Sequence, residues 1–161
     1  MLNANEPLRG LNFCTTTGLL TATGAETVYD TTAAIQYVLG GKIAAKATVA
    51  DGTTPTTGGV SGAAITLTAN NGRVVVWCLT SGGTVKVLEG DIEALDAAGN
   101  FIDYPSFPDI PDTYVPFAYQ VLKGGATLSG TWTFGSSNWN ATGLTSTIVN
   151  VATLPARPAI S

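Results

Sequence analysis

Alternating apolar and polar residues run along most of this chain and are interrupted by short stretches rich in glycine, serine and asparagine. No segment of a dozen residues repeats its apolar positions with the 3.6-residue period of a helix, whereas alternation with period two is typical of strands. About nine short strands are predicted, at a spacing typical of a β-sandwich or a β-barrel. The predicted fold class is therefore all-β, and we expect one β-sandwich.

Two hairpins are predicted where glycine pairs separate alternating runs. Gly40-Gly41 joins IQYVL to KIAAKATV, and Gly124-Gly125 joins FAYQVLK to ATLSGTWTF. A glycine pair suits a two-residue turn, because both turn positions need positive φ. The alternating apolar positions are Ile35, Tyr37, Leu39, Ile43, Ala45 and Ala47 in the first hairpin, and Phe117, Tyr119 and Val121 in the second.

The run RVVVWCLT is predicted to be the middle strand of a meander, with AAITLTA before it and TVKVLEGDIEAL after it. Both of its faces are apolar, so we expect it to be central and buried on both sides. The stretch from Asp51 to Gly62 that precedes the meander is predicted to be a mobile surface loop. The two faces of the central strand carry Val74, Val76 and Cys78 on one side and Val75, Trp77 and Leu79 on the other.

A proline-rich segment from Tyr104 to Pro116 holds four of the eight prolines. Each proline fixes its own φ, removes a backbone donor and favours extended geometry before it, so this segment can be neither a helix nor a central strand. We predict a stiff, extended connector at 104–116 that is held against another surface. The chain then divides into an N-terminal arm at 1–12, one sandwich domain at 13–154 and an extended C-terminal tail at 155–161.

Charged residues make up only 11% of the chain and hydrophobic residues 45%. An ordinary soluble domain has about 25% charged residues, and here threonine, serine and glycine replace them. A neutral surface rich in hydroxyl groups is poorly protected against association, which favours a homo-oligomer. The alternative is that threonine and serine merely occupy solvent-facing strand positions.

Seven basic and eleven acidic residues give a net charge of −4, and the basic residues are scattered singly along the chain. Binding to a nucleic-acid backbone needs clustered cations, so no nucleic-acid partner is predicted. No run of about 18 apolar residues occurs, and the first residues lack the apolar core of a signal peptide. We therefore expect no membrane partner and synthesis in the cytoplasm.

The chain contains no histidine, which excludes Ser-His-Asp and Cys-His catalysis as well as histidine metal ligands. Cys14 and Cys78 lack the CxxC spacing of a metal or redox site. A disulfide between them is one possibility, and two reduced, buried thiols are the favoured one.

The densest acidic cluster is Glu89, Asp91 and Glu93, whose spacing would place three carboxylates on one face of a strand. The solvated face of a strand is the favoured interpretation. Calcium binding, with help from other carboxylates, and glycoside hydrolysis by a carboxylate pair are the alternatives. We predict no catalytic residue, no metal and no cofactor. The other carboxylates available to calcium are Asp103, Asp109 and Asp112.

Trp132, Phe134 and Trp139 form an aromatic group near the end of the second predicted hairpin. Packing in the core is the commonest use of such residues. An exposed aromatic platform at a subunit interface, or one that stacks sugars, is the alternative.

Four fragments, taken in order, resemble the head decoration (cement) proteins of tailed bacteriophages. They are GGKIAAKATVADGTTPTT, FPDIPDTYVPFAYQVLKGG, GTWTFGSSNWNATG and TLPARP, and together they span about Ile35 to Pro158. The resemblance implies a jelly-roll-like β-sandwich that forms homotrimers on the outer surface of the virion. It also implies contacts with the major capsid protein through extended termini and loops, and no catalytic residues.

The expected function is therefore that of a capsid cement protein, which is not an enzyme. A glycan-binding or host-surface domain of a phage head or tail fibre is the second hypothesis, and a carboxylate-based glycan depolymerase is the third. The candidate capsid contacts are Leu2, Asn3, Pro7, Leu8, Arg9 and Leu11. The candidate subunit contacts are Tyr104, Phe107, Ile110, Tyr114, Trp132, Phe134 and Trp139.

Overall fold

The computed structural model describes residues 12–16, 20–25 and 27–160. This part of the chain contains strands and no helix, which confirms the all-β prediction, and it therefore holds no helix able to cross a membrane. The strands are β1 (Phe13–Cys14), β2 (Leu20–Thr21), β3 (Val28–Thr31), β4 (Ile35–Leu39), β5 (Lys42–Lys46), β6 (Gly52–Thr53), β7 (Thr66–Leu67), β8 (Asn71–Leu79), β9 (Val85–Glu89), β10 (Glu93–Ala94), β11 (Val115–Gly124), β12 (Trp132–Thr133) and β13 (Leu144–Asn150).

The largest sheet is antiparallel and has the order β10-β8-β11-β13, with β9 also paired to β8. Its long strands β8 and β11 pair from Val115 opposite Leu79 to Gly124 opposite Asn71. The residues from Val74 to Leu79 are fully buried, which confirms the predicted central strand. A run of β-branched residues suits this position, because both of its faces pack against apolar neighbours.

Two apolar cores lie on opposite faces of this sheet. Trp77 and Leu122 belong to the first core, whereas Val76 and Tyr119 belong to the second. Three smaller sheets, with the orders β1-β4-β5, β2-β3-β6 and β12-β7, contribute residues to the first core. Antiparallel sheets around a shared core are consistent with the predicted β-sandwich, and the jelly-roll connectivity stays a prediction.

The first predicted hairpin is confirmed, but the core-facing side of its second strand differs from the prediction. Gly40 and Gly41 have φ angles of 57° and 77° and join β4 to β5. The resulting register places Ala44 opposite the buried Tyr37, so Ala44 packs against the first core and Ile43 points away from it. All the alternating positions expected on β5 and just after it are exposed: Ile43, Ala45 and Ala47.

The second predicted hairpin is wrong. β11 pairs with β13, with Gly124 opposite Leu144, and β12 pairs with β7. After β11 the chain turns, because the Leu128 amide donates to the Gly125 carbonyl. The alternating pattern predicts a strand near Trp132, but such a pattern does not specify the partner strand.

A bulge in β11 changes the face of one predicted apolar position. The register shifts between Pro116 and Ala118. A bulge adds one residue to a strand and thereby reverses the side on which the next residues point. Phe117 accordingly packs in the first core, whereas Tyr119 and Val121 pack in the second. The predicted common face is therefore wrong for Phe117.

The predicted meander is confirmed in part. β9 lies antiparallel to β8, with Val87 opposite Trp77. β10 pairs with the other end of β8, where Glu93 lies opposite Gly72. β7, which was expected to be the first strand of the meander, pairs with β12.

The segment 51–62, predicted to be a mobile loop, is held by backbone hydrogen bonds. It begins with β6, which pairs with β3. The Gly59 amide then donates to the Val87 carbonyl of β9 at 2.7 Å, and the Gly58 amide donates to the Ala63 carbonyl at 2.8 Å. The segment therefore covers the outer edge of β9 and leaves the Val60 side chain exposed.

Cys14 and Cys78 are free and buried, which confirms the favoured prediction for the two thiols. Burial raises the pKa of the Cys14 thiol to about 12. Burial also raises the pKa of Cys78, and repulsion from a Cys14 thiolate is a smaller cause in the same direction. Thiols in such surroundings stay protonated and unreactive while the chain is folded.

We expect the folded state to lose stability as the pH rises above about 9. Cys14 has an ordinary pKa of 9.0 in the unfolded chain and ionises at about 12 in the folded one. The folded state therefore binds more protons between these values, and the free energy of unfolding falls as the pH rises through this window. Burial of Tyr29 acts in the same direction, because it raises the pKa of that phenol.

Urea unfolding followed by circular dichroism at about pH 8 and about pH 10.5 measures this loss within the window. A Cys14→Ala/Cys78→Ala variant should lose less stability between the two conditions. An equal loss in the variant would contradict the role of the thiols.

Candidate interaction surface

The proline-rich connector lies against the outer face of its own large sheet. The Phe107 ring meets the Tyr119 ring of β11 edge-on, with ring centres 5.1 Å apart. Ile110 and Tyr114 pack against the same second core, and the Tyr114 hydroxyl donates to the Gly59 carbonyl at 3.2 Å. The surface that this stiff segment was predicted to contact is therefore, on one side, the chain itself.

Gly90 allows the connector to approach the sheet closely. A Cβ atom at this position would lie 2.8 Å from the Ser106 carbonyl oxygen of the connector and 3.1 Å from the Val74 carbonyl oxygen of β8. The Arg73 guanidinium donates to the Gly90 carbonyl through Nη2 at 2.7 Å and through Nε at 3.2 Å. Burial lowers the pKa of Arg73, and the negative charge of Glu89 opposes this shift.

The C-terminal tail lies beside the connector on the same face. The Tyr104 hydroxyl donates to the Pro158 carbonyl, and the Arg157 guanidinium lies 5.5 Å from the centre of the Tyr104 ring. The Ala159 amide donates to the Tyr119 hydroxyl at 2.9 Å. Connector and tail, both rich in proline, therefore form an outer layer over the second core.

Three adjoining depressions run along the connector, and we call them together the connector groove. Their volumes are about 450, 350 and 240 Å³. The first shares Ser106 and Phe107 with the second, and the second shares Glu89, Pro108 and Asp109 with the third. The remaining lining residues are Tyr104, Pro105, Ala156, Arg157 and Pro158 in the first, Gly90 and Asp91 in the second, and Val60, Ser61 and Leu88 in the third.

The middle of the connector groove is acidic. Glu89 and Asp91 line it from the sheet, and Asp109 lines it from the connector. The Ser61 hydroxyl donates to Glu89 Oε1. The groove therefore combines carboxylates with apolar surface at its ends.

The predicted acidic face of a single strand is wrong. Glu89 ends β9, Asp91 lies in the following loop, and Glu93 begins β10. The described residues contain no group of three or more carboxylates and cysteines that could hold a metal ion. The calcium alternative, including the part expected of Asp103 and Asp109, receives no support from this geometry.

Trp132, Phe134 and Trp139 belong to the first core, which confirms the favoured interpretation of this group. Their side chains are 2%, 0% and 4% exposed. Both indoles are hydrogen-bonded inside the chain, since Trp132 Nε1 donates to the Asn138 carbonyl and Trp139 Nε1 to the Val28 carbonyl, each at 3.0 Å. The exposed aromatic platform is therefore wrong, and these three residues have no free face for a second subunit or a sugar.

The other candidate subunit contacts come together on the connector. Tyr104 is 50% exposed, and Phe107, Ile110 and Tyr114 are half-buried. Their covered parts face the second core. Their exposed parts remain available on the outer surface of the connector.

The candidate capsid contacts lie outside the described residues. Asn12 marks the point at which this segment joins the domain. Its Nδ2 donates to the Asp112 carbonyl, and its Oδ1 accepts from the Gly40 amide, both at 2.9 Å. The N-terminal segment therefore joins the domain between the end of the connector and the β4–β5 turn. The candidates concerned are Leu2, Asn3, Pro7, Leu8, Arg9 and Leu11.

Several large exposed apolar side chains were not among the predicted site residues. Ile43 on β5 is 83% exposed, and Val60 beside the connector groove is 66% exposed. Val60 does carry a sequence signal, because it is a lone large apolar residue in a loop of glycine, serine and threonine. Ile43 carries none, because its exposure follows from the strand register. Two further exposed residues of this kind are Ile92 and Ile102.

No protein-family model matches this chain, and neither the curated proteins nor the solved structures contain a match to it.

Proposed function

We propose that this protein is a non-enzymatic decoration protein of a tailed-bacteriophage head. It would bind the outer surface of the capsid as a homotrimer and stabilise the lattice of the major capsid protein. The observation that carries the proposal is the outer layer of connector and tail, which presents a groove and the exposed side chain of Tyr104. The ordered resemblance of four fragments to phage decoration proteins supplies the setting.

The mechanism proposed is thermodynamic linkage. A protein that binds only the assembled lattice stabilises it by the free energy of that binding. Three weak sites on one trimer act together once the first has engaged, so the affinity of the whole exceeds that of each site. No chemical step is required of the chain.

The proposed division of labour follows the two ends of the connector. The N-terminal segment, which joins the domain at Asn12, would contact the capsid. The outer surface of the connector would serve contacts between subunits. The glycan-binding alternative loses the observation that favoured it, because the three aromatic residues proposed as its platform are buried.

Mixing the purified chain with heads that lack it tests the proposal. We expect saturable binding at a fixed ratio to the major capsid protein, together with greater resistance of the heads to heat. A variant without residues 2–11 should keep its circular dichroism spectrum and lose binding to the heads. A variant with the same ten residues in scrambled order controls for length and composition and should also fail to bind.

Absence of saturable binding by the intact chain would refute the decoration role. Equal binding by the intact chain and the shortened variant would refute the role of the N-terminal segment alone.

A further inference from the structure

β5 is an edge strand with an unusual exposed surface. Among the described residues it pairs only with β4, so the backbone groups along its other side have no strand partner. Ile43, in the second position of the strand, is 83% exposed. An open strand edge that carries a large exposed apolar side chain is a typical contact site for another chain.

The charge of β5 is positive. Lys42 and Lys46 stand at its two ends, and no acidic residue occurs between Asp30 and Asp51. Neither lysine forms an ion pair with another described residue. β5 therefore presents two cations on either side of an apolar side chain.

The connector groove has the complementary character. Its middle carries the carboxylates of Glu89, Asp91 and Asp109, and its end carries the apolar side chains of Val60 and Leu88 beside Pro108. Opposite charges arranged around matching apolar surfaces steer two proteins together and suppress other pairings. The described chain thus carries both halves of one contact.

We infer that β5 of one copy docks into the connector groove of a second copy. Ile43 covers the apolar end near Val60, and the two lysines face the carboxylates. This inference rests on the proposed function for its biological setting, and it identifies the subunit contact that the proposed trimer needs.

The alternative pairing of two β5 strands with each other is unfavourable. An antiparallel pair centred on Ala44 would place Lys42 opposite Lys46 of the other copy at both ends, and like charges directly opposite each other destabilise a strand pair. The favoured contact instead joins two different patches. Such heterologous contacts generate closed rings when the rotation closes, and a trimer is one such ring.

Charge reversal on each side of the contact tests this inference. We compare by sedimentation the wild-type chain, a Lys42→Glu/Lys46→Glu variant, an Asp91→Lys/Asp109→Lys variant and the combination of all four substitutions. Each double variant brings like charges together and should raise the dissociation constant of the oligomer by about 100-fold. The fourfold variant restores opposite charges in every contact and should associate like the wild type, whatever the number of subunits in the ring.

Controls separate this contact from a general effect of charge. Lys86→Glu and Asp103→Lys change charges outside the groove lining and should leave the dissociation constant unchanged within about threefold. Ile43→Ala should weaken association without lowering the urea midpoint, because the side chain is exposed. Raised salt should weaken association of the wild type.

A wild type that stays monomeric at high concentration would overturn the inference, and so would double variants that associate normally or a fourfold variant that stays dissociated. Binding to heads is measured on the same variants. An oligomer that follows the charge pattern but does not bind heads would refute the decoration role alone. Heads bound by a wild type whose association ignores the charge pattern would refute this contact alone.

Discussion

Replacing Trp77 by alanine is expected to lower the free energy of unfolding by about 3–5 kcal/mol. The side chain is fully buried at the centre of β8, with its ring centre 5.3 Å from that of Tyr29 and 5.5 Å from that of Phe134. Its Nε1 donates to Gln120 Oε1 at 3.0 Å, so the substitution leaves a cavity and also an unpaired acceptor. Domains of this size have total stabilities of about 5–15 kcal/mol, so the loss is a large fraction of the total.

Urea unfolding followed by far-ultraviolet circular dichroism measures this loss, because the substitution removes a fluorescent indole. Ile43→Ala is the matched control, since it removes an apolar side chain that is 83% exposed, and its effect should stay within about 0.5 kcal/mol. A loss below about 1 kcal/mol for Trp77→Ala would show that this side chain is not at the centre of the core.

Replacing Gly90 by alanine is expected to lower the free energy of unfolding by about 1–3 kcal/mol and to loosen the connector. The added methyl group would lie 2.8 Å from the Ser106 carbonyl oxygen and 3.1 Å from that of Val74. The strand β8 is fixed in the core, so the connector is the part that must move. Movement of Ser106 also shifts Phe107 away from Tyr119, because the two connector residues are adjacent.

Hydrogen exchange and limited proteolysis of the connector read out this movement separately from global unfolding. The control is Gly82→Ala, because a Cβ atom at Gly82 would meet nothing within 4 Å. Unchanged exchange in the connector of the Gly90→Ala variant would contradict the close approach. If the connector loosens, association through the groove should weaken as well.

The central strand shows how far a pattern of residues can predict a fold. β8 is apolar at consecutive positions, and an unbroken apolar run of strand length is typical of a strand buried on both faces. The β4–β5 hairpin was equally predictable, because Gly40 and Gly41 supply the positive φ angles that a two-residue turn requires. Both features depend on residues that are close in sequence.

The candidate site was less predictable, because it depends on contacts between distant segments. Phe107 looked available for a second subunit, but its ring packs on Tyr119 of β11. Trp139 looked suited to an exposed platform, but its Nε1 donates to the carbonyl of Val28, which is 111 residues away in the chain. Neither contact leaves a mark in the local pattern of residues.

By itself, the sequence determined the all-β class, the central strand, the first hairpin and the extended character of the connector, since each follows from local backbone preferences and from the side-chain period of a strand. The tertiary structure alone decided which strands pair, which side of β5 faces outward and where the connector lies. The physical reason is that strand partners, bulges and close approaches such as that at Gly90 arise from non-local packing, and one added residue in β11 reverses the face of its neighbours.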